Sequence, residues 1–179
     1  MNHIIALVGM CGAGKSVVSD YFKEMGYIYI HFGAVTMDEL ERRGLEVNES
    51  NEKKVREALR EEHGMAAFAK LNLEKIESAL EKSNVIVDGL YSWSEYKVLK
   101  EKFDEKLNVL AIFTPRALRY ERLGIRDVRP LTPAEAQARD FAEIENIEKG
   151  GPIAMADFTV INDGDINELR SSLDKLPLN

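Results

Sequence analysis

The sequence predicts an α/β fold in three layers, with a five-stranded parallel sheet between two layers of helices. Two observations predict it. Short β-branched runs alternate with longer helical stretches, the order that builds a parallel sheet through crossover helices. Most of those runs are apolar almost throughout, as strands buried on both faces must be.

The five strand candidates are residues 3–8, 27–32, 85–88, 108–114 and 158–161. Between them the helix signals are legible. Thr36 to Glu39, Ser92 to Glu95, Thr132 to Glu135 and Asp165 to Glu168 each read as a capping box, the third with Pro133 at the first helical position. Gly26, Gly44, Gly64 and the Gly150-Gly151-Pro152 cluster read as stops. The helical stretch 36–82 and a second one over 115–149 exceed what a simple crossover needs, so each is expected to carry a small mobile subdomain over the ligand edge of the sheet.

A chain of 179 residues, 45% hydrophobic and 31% charged, fits one soluble globular domain over 1–179. A formal net charge of -7 argues against nucleic acid as the main partner and toward a small ligand, although residues 116–129 hold five arginines. The lone cysteine, Cys11, has no internal disulfide partner, and no apolar run is long enough to cross a membrane. A short apolar opening without a basic leader reads as a buried strand, not a signal peptide, and the expected compartment is the cytoplasm. Oligomeric state leaves no trace in the sequence.

Gly9-Met10-Cys11-Gly12-Ala13-Gly14-Lys15-Ser16 fits the Walker A pattern G-x-x-x-x-G-K-[ST] in full, between an apolar strand and a helical pattern from Lys15 to Met25. The glycines let the backbone curl so that successive N–H groups face one centre, and the helix start adds positive potential. That arrangement binds the phosphates of ATP or GTP, with Lys15 on the outer phosphates and Ser16 on Mg2+. Cys11 reads as a small loop filler with a thiol open to oxidation. Asp88 closes the third strand candidate, where α/β sheets bind ligands, and is the second expected magnesium ligand, provided that strand lies beside the first.

These residues resemble the nucleoside and nucleotide kinase branch of the P-loop NTPases, the adenylate-kinase-like and dephospho-CoA-kinase-like enzymes. The resemblance rests on the loop 9–16, on Asp88-Gly89, on the arginines after the fourth strand and on the ending Ala156 to Gly164. It implies a P-loop NTPase fold with a helical acceptor-binding insertion over 36–82 and a lid over 116–149. It also implies that Arg122 and Arg126, with Arg139 on the return side, close over the transferring phosphoryl group. Arg119, Arg122 and Arg126 are spaced to share a helix face, where a solvated face paired with Glu121 and Asp127 is the competing reading. By the same analogy residues 151–156 approach the nucleotide base.

The acceptor side departs from the resemblance. Met37 and Ser92 stand where adenylate-kinase-like enzymes hold acceptor arginines, and Gly33-Ala34-Val35 replaces the region of a dephospho-CoA kinase general base. Arg42, Arg43, Arg56, Arg60 and His31 are the candidate substitutes. The expected function is a small-molecule kinase moving the γ-phosphoryl group of Mg-ATP to a nucleotide or related metabolite. Catalytic roles fall to Lys15, Asp88, Arg122 and Arg126. The alternative is an ATP-dependent binding or regulatory protein with no small acceptor. A GTPase is disfavoured, since no Asn-Lys-x-Asp follows the fourth strand.

Overall fold

Strands β1 (Ile4–Val8), β2 (Ile28–His31), β3 (Val85–Asp88), β4 (Leu107–Phe113) and β5 (Phe158–Ile161) form one parallel sheet in the order β2-β3-β1-β4-β5 in the computed structural model, which describes residues 2–178. All five expected strands are present, shortened by a residue or so at some ends. Parallel strands need crossovers, which are supplied by α1 (Lys15–Glu24), α2 (Ala34–Arg42), α3 (Glu49–His63), α4 (Ala67–Leu80), α5 (Trp93–Phe103), α6 (Arg116–Ile125), α7 (Pro133–Glu145) and α8 (Gly150–Ala154), while α9 (Ile166–Leu173) follows the last strand.

Period-two alternation along β1 sends Ile4, Ala6 and Val8 into one core and Ile5 and Leu7 into the other. The first core joins the sheet to residues of α2 to α5, among them Leu40, Val55, Ile76 and Leu99. The second joins it to Val18 and Phe22 of α1 and Leu169 and Leu173 of α9. Both faces of the central strands are therefore covered, which is why those strands read as unbroken apolar runs.

Three of the four expected capping boxes form, at Ser92, Thr132 and Asp165. The fourth does not: α2 starts at Ala34 straight after β2, so Thr36 falls inside its first turn and bonds back to the Gly33 carbonyl. Gly26, Gly44 and Gly64 fall just beyond α1, α2 and α3 as expected. Gly150-Gly151-Pro152 ends nothing, because α7 has already stopped at Glu145; the cluster opens α8, whose first turn tolerates proline for want of an amide partner there. Among the described residues no helix is long and apolar enough to cross a membrane.

Candidate active site

The phosphate loop spans the gap between the end of β1 and the start of α1, at the carboxyl edge of the sheet. Its curl is held from behind. The Asn162 amide nitrogen donates to the Ala13 carbonyl at 2.8 Å, and the Thr114 hydroxyl lies between that carbonyl (3.1 Å) and Asn162 O (2.9 Å), its one proton shared between the two acceptors. Gly14, with φ 93°, is the N-cap of α1, and a Cβ there would fall 2.3 Å from Asn162 Nδ2. Only glycine fits both the left-handed conformation and the close packing.

Lys15 lies in the first turn of α1 and folds back over the loop, its ammonium donating to Gly9 O at 2.7 Å and Met10 O at 3.3 Å. Burial, and then the nearby Lys149 charge, pull its pKa down to about 8, against the opposing pull of Glu143, Asp88 and Cys11. The Ser16 side of the turn is exposed. Met10 and Ile153 line an apolar cleft of about 410 Å³ beside the loop, together with Phe113; Ile153 lies in the 151–156 segment expected near the base.

β3 lies directly beside β1, with Leu7 paired to Asp88, so the Asp88 carboxylate closes the strand next to the phosphate loop. One oxygen accepts from Tyr29 Oη at 3.2 Å and lies 3.8 Å from His31 Nδ1; the other is buried without a partner. Burial and the Asp88 charge raise the Tyr29 phenol to about 12, which keeps it a donor. An orphaned carboxylate oxygen at the strand end suits a hard cation that takes its remaining ligands from water and phosphate, the usual magnesium arrangement. Among the described residues no cluster of three His, Cys, Asp or Glu side chains forms an all-protein metal cage.

The arginines do not share one helix face. Arg119 is 6% exposed and forms a two-point pair with Asp140 of α7, with a further bond to Cys11 O at 3.0 Å. Its partner is thus a buried aspartate, and neither Glu121 nor Asp127 pairs with an arginine among the described residues. Arg122 donates to Asn162 O at 3.1 Å, beside the phosphate loop. Arg126 lies one residue beyond α6, because the helix ends at Ile125, and its Nε donates to Arg129 O at 2.5 Å. Arg139 is exposed, 3.6 Å from Glu143.

On the other side of the crevice, Arg42 and Arg43 pair with Glu39, and Arg56 with Glu49 and Glu52. Arg60 has no ion pair among the described residues; its Nε is buried without a partner, and its guanidinium carbon lies 5.2 Å from the centre of the Phe68 ring. Met37 is exposed on α2, while Ser92 caps α5 and is engaged there. Glu95, 1% exposed, accepts from the Tyr91 and Ser92 amides, leaves Oε1 unpaired, and is raised to about 7 by burial.

Sequence reasoning missed Thr114, Glu143 and Lys149 as neighbours of the loop and gave Asn162 no role. None carries a periodic or spacing signal, since each reaches the loop only through tertiary packing.

The AAA domain family profile matches residues 5–149. UPF0200 proteins of Thermococcus gammatolerans and Thermococcus kodakarensis are 37% and 36% identical over 177 residues, covering 97% of this chain and 93% and 95% of theirs. The fold is similar to shikimate kinase from Bacteroides thetaiotaomicron (TM-score 0.61, 17% identity, 97% and 95% of the two chains) and to a gluconokinase from Sinorhizobium meliloti (TM-score 0.59, 17% identity, 96% and 90%). This chain belongs to the AAA domain family and, by its relatives, with the UPF0200 proteins, and it has a P-loop kinase-like fold.

Proposed function

We propose that the protein is an ATP-dependent phosphotransferase that moves the γ-phosphoryl group of Mg-ATP to a small anionic metabolite, a nucleotide being the simplest such acceptor. The observation that carries this reading is the complete phosphate loop at the start of α1 with Asp88 on the adjacent strand. Lys15 and the loop amides hold the β- and γ-phosphates. Ser16 and Asp88 hold the magnesium ion, which supplies charge neutralisation of the phosphates.

An acceptor oxygen replaces the β–γ bridging oxygen on phosphorus, and ADP leaves. This chemistry asks for positioned cations more than for covalent participation. Arg122, held beside the loop by its bond to Asn162 O and without a carboxylate partner among the described residues, is placed to serve, and Arg126, on the loop between α6 and α7, is carried in when that loop closes. Residues 116–149 act as a lid that keeps water from the γ-phosphoryl group, and residues 36–82 receive the acceptor, with Arg60 as its anion partner. The neighbours named shikimate kinase and gluconokinase support a small-molecule acceptor.

The test is ADP production from Mg-ATP with and without a panel of nucleoside monophosphates, nucleosides, dephospho-CoA and small phosphorylated or carboxylated metabolites. One acceptor should raise turnover well above the basal rate, and Lys15→Ala should abolish that turnover while the variant stays folded. Persistent transfer by Lys15→Ala would overturn the mechanism. The engagement of Ser92 as a helix cap, where an acceptor arginine stands in the adenylate-kinase pattern, favours one competing reading: a nucleotide-dependent binding protein. Tight ATP binding with no acceptor stimulation, and a partner captured only with ATP, would favour that reading over the kinase.

A further inference from the structure

Between α7 and α8 the chain turns a lysine inward. Lys149 is 1% exposed, and its ammonium lies 2.7 Å from Glu143 Oε2 and 4.9 Å from the centre of the Tyr91 ring. Long cations are seldom buried this completely on a helix connection, and their usual course is to keep the charged end in water. Here the backbone enforces the inward course. Glu148, directly before it, takes φ 55°, a left-handed conformation that costs a non-glycine residue free energy. Gly151, two residues later, packs so closely on Trp93 that a Cβ would fall 2.8 Å from its ring.

What the inward lysine meets is the phosphate loop. The same Glu143 oxygen that pairs with Lys149 accepts the Cys11 amide at 3.2 Å, and Cys11 is the third residue of the loop. Lys149 is also near enough to Lys15 to be one of the charges depressing its pKa. The Lys149 ammonium and a loop amide therefore converge on one oxygen of a side-chain carboxylate. A loop of this kind turns its amides toward the phosphates of a nucleotide, and its own lysine reaches the β- and γ-phosphates.

We propose that Lys149 is a second cation for the terminal phosphates of the bound nucleotide, and that Glu143 occupies the phosphate position on Cys11 and Lys149 until the nucleotide displaces it. This rests on the nucleotide-binding reading above but not on any transfer to an acceptor. Arg139, 3.6 Å from the other Glu143 oxygen and largely exposed, is the partner that receives the displaced carboxylate. Since α7 carries Glu143, exchange of carboxylate for phosphate ties the position of that helix to the presence of a triphosphate. Nucleotide affinity is lowered by the fraction of molecules in which the carboxylate is seated.

The test is calorimetric titration of the full chain with Mg-ATP and with Mg-ADP at fixed salt. The variants are Glu143→Gln and the double variant Glu143→Gln/Lys149→Met, which avoids stranding a charge on either partner; thermal melts establish that both are folded. Glu143→Gln should bind Mg-ATP about fivefold tighter or more, because the competing anion is gone. Adding Lys149→Met should cost about tenfold from there, the scale of one charge-assisted hydrogen bond, with a smaller loss for Mg-ADP. A Glu143→Gln protein that binds ATP no more tightly than wild type would overturn the proposal, leaving the pair a structural strut. So would a double variant that binds as tightly as Glu143→Gln. A wild-type chain that takes up no nucleotide would instead sink the phosphate-loop reading itself.

Discussion

Arg119 on α6 and Asp140 on α7 face each other through two hydrogen bonds, 2.8 and 2.7 Å, with both side chains less than a tenth exposed. Arg119 also donates to Cys11 O at 3.0 Å, and Tyr120 donates to the same aspartate at 3.1 Å, so one buried pair ties two helices and the phosphate loop together. Removing one partner strands the other's charge away from water. Asp140→Ala should therefore cost about 3–5 kcal/mol, a fall in Tm on the order of 10 °C. Replacing both, as Arg119→Met/Asp140→Leu, should restore much of it, because the desolvation penalty goes with the pair. Thermal unfolding followed by circular dichroism decides; an Asp140→Ala melt indistinguishable from wild type would show the pair to be dispensable.

Lys15 supplies a prediction about protons. With the ammonium held to about 8, chiefly by burial, roughly three-quarters of the molecules carry a neutral Lys15 at pH 8.5 before nucleotide binds. Bound phosphates favour the charged form and raise that pKa, so binding takes up protons, and the apparent affinity falls as pH rises above 8. Mg-ADP titrations at pH 8.5 in buffers of different ionisation enthalpy should give different heats. The spread should shrink at pH 7, where Lys15 is already mostly protonated, and vanish in Lys15→Ala. Buffer-independent heats at pH 8.5 in the wild type would contradict the depressed pKa.

The sheet was legible because its signals are local: each strand candidate carries its own apolar run, and the phosphate loop carries its spacing. Capping boxes were legible wherever a polar loop precedes the helix, and failed at Thr36, where the chain passes from β2 into α2 with no loop to cap. The cations were harder. Arg119 and Arg122 have the same sequence signature, yet Arg119 is consumed by a partner twenty-one residues away while Arg122 meets a backbone carbonyl. Lys149 lies in a non-periodic stretch among glycines, and only the turn at Glu148 and the packing of Gly151 on Trp93 send it inward. Pairing and burial of charges are properties of the tertiary fold, which spacing does not encode.

Glu95 should mark the pH dependence of stability. Its carboxyl is raised to about 7, by burial first, against the pull of the Tyr91 and Ser92 amides and of Arg60. Below pH 4.5 folded and unfolded chains both hold the proton, so the group costs nothing. Between 4.5 and 7 the unfolded chain releases it first, and stability falls as pH rises, by up to about 3 kcal/mol above pH 7. Glu95→Gln keeps an oxygen for the two amides and never ionises. Its stability advantage over wild type should grow between pH 5 and 7 and then level off, measured by urea unfolding across that range. A difference that does not vary with pH would mean that Glu95 is ionised in the fold throughout.

Arg60 bears on the acceptor. Of the four arginines between Arg42 and Arg60, Arg42 and Arg43 are satisfied by Glu39 and Arg56 by Glu49 and Glu52, whereas Arg60 keeps a buried Nε without a partner. Burial lowers its pKa, and Glu95, the first of the charges acting to raise it, has an orphaned oxygen of its own. A half-buried guanidinium with no carboxylate partner gains from an incoming phosphate or carboxylate, which it can grip at two points. Once an acceptor is found, Arg60→Ala should raise its KM by about tenfold to a hundredfold, the scale of a lost charge-assisted hydrogen bond, with Arg60→Lys recovering part of the loss. Arg56→Ala, which removes a guanidinium already paired on the surface, should change the KM little. Equal effects at Arg56 and Arg60 would point to general electrostatic attraction of the acceptor, and no effect at Arg60 would place the acceptor's anionic group elsewhere in the crevice.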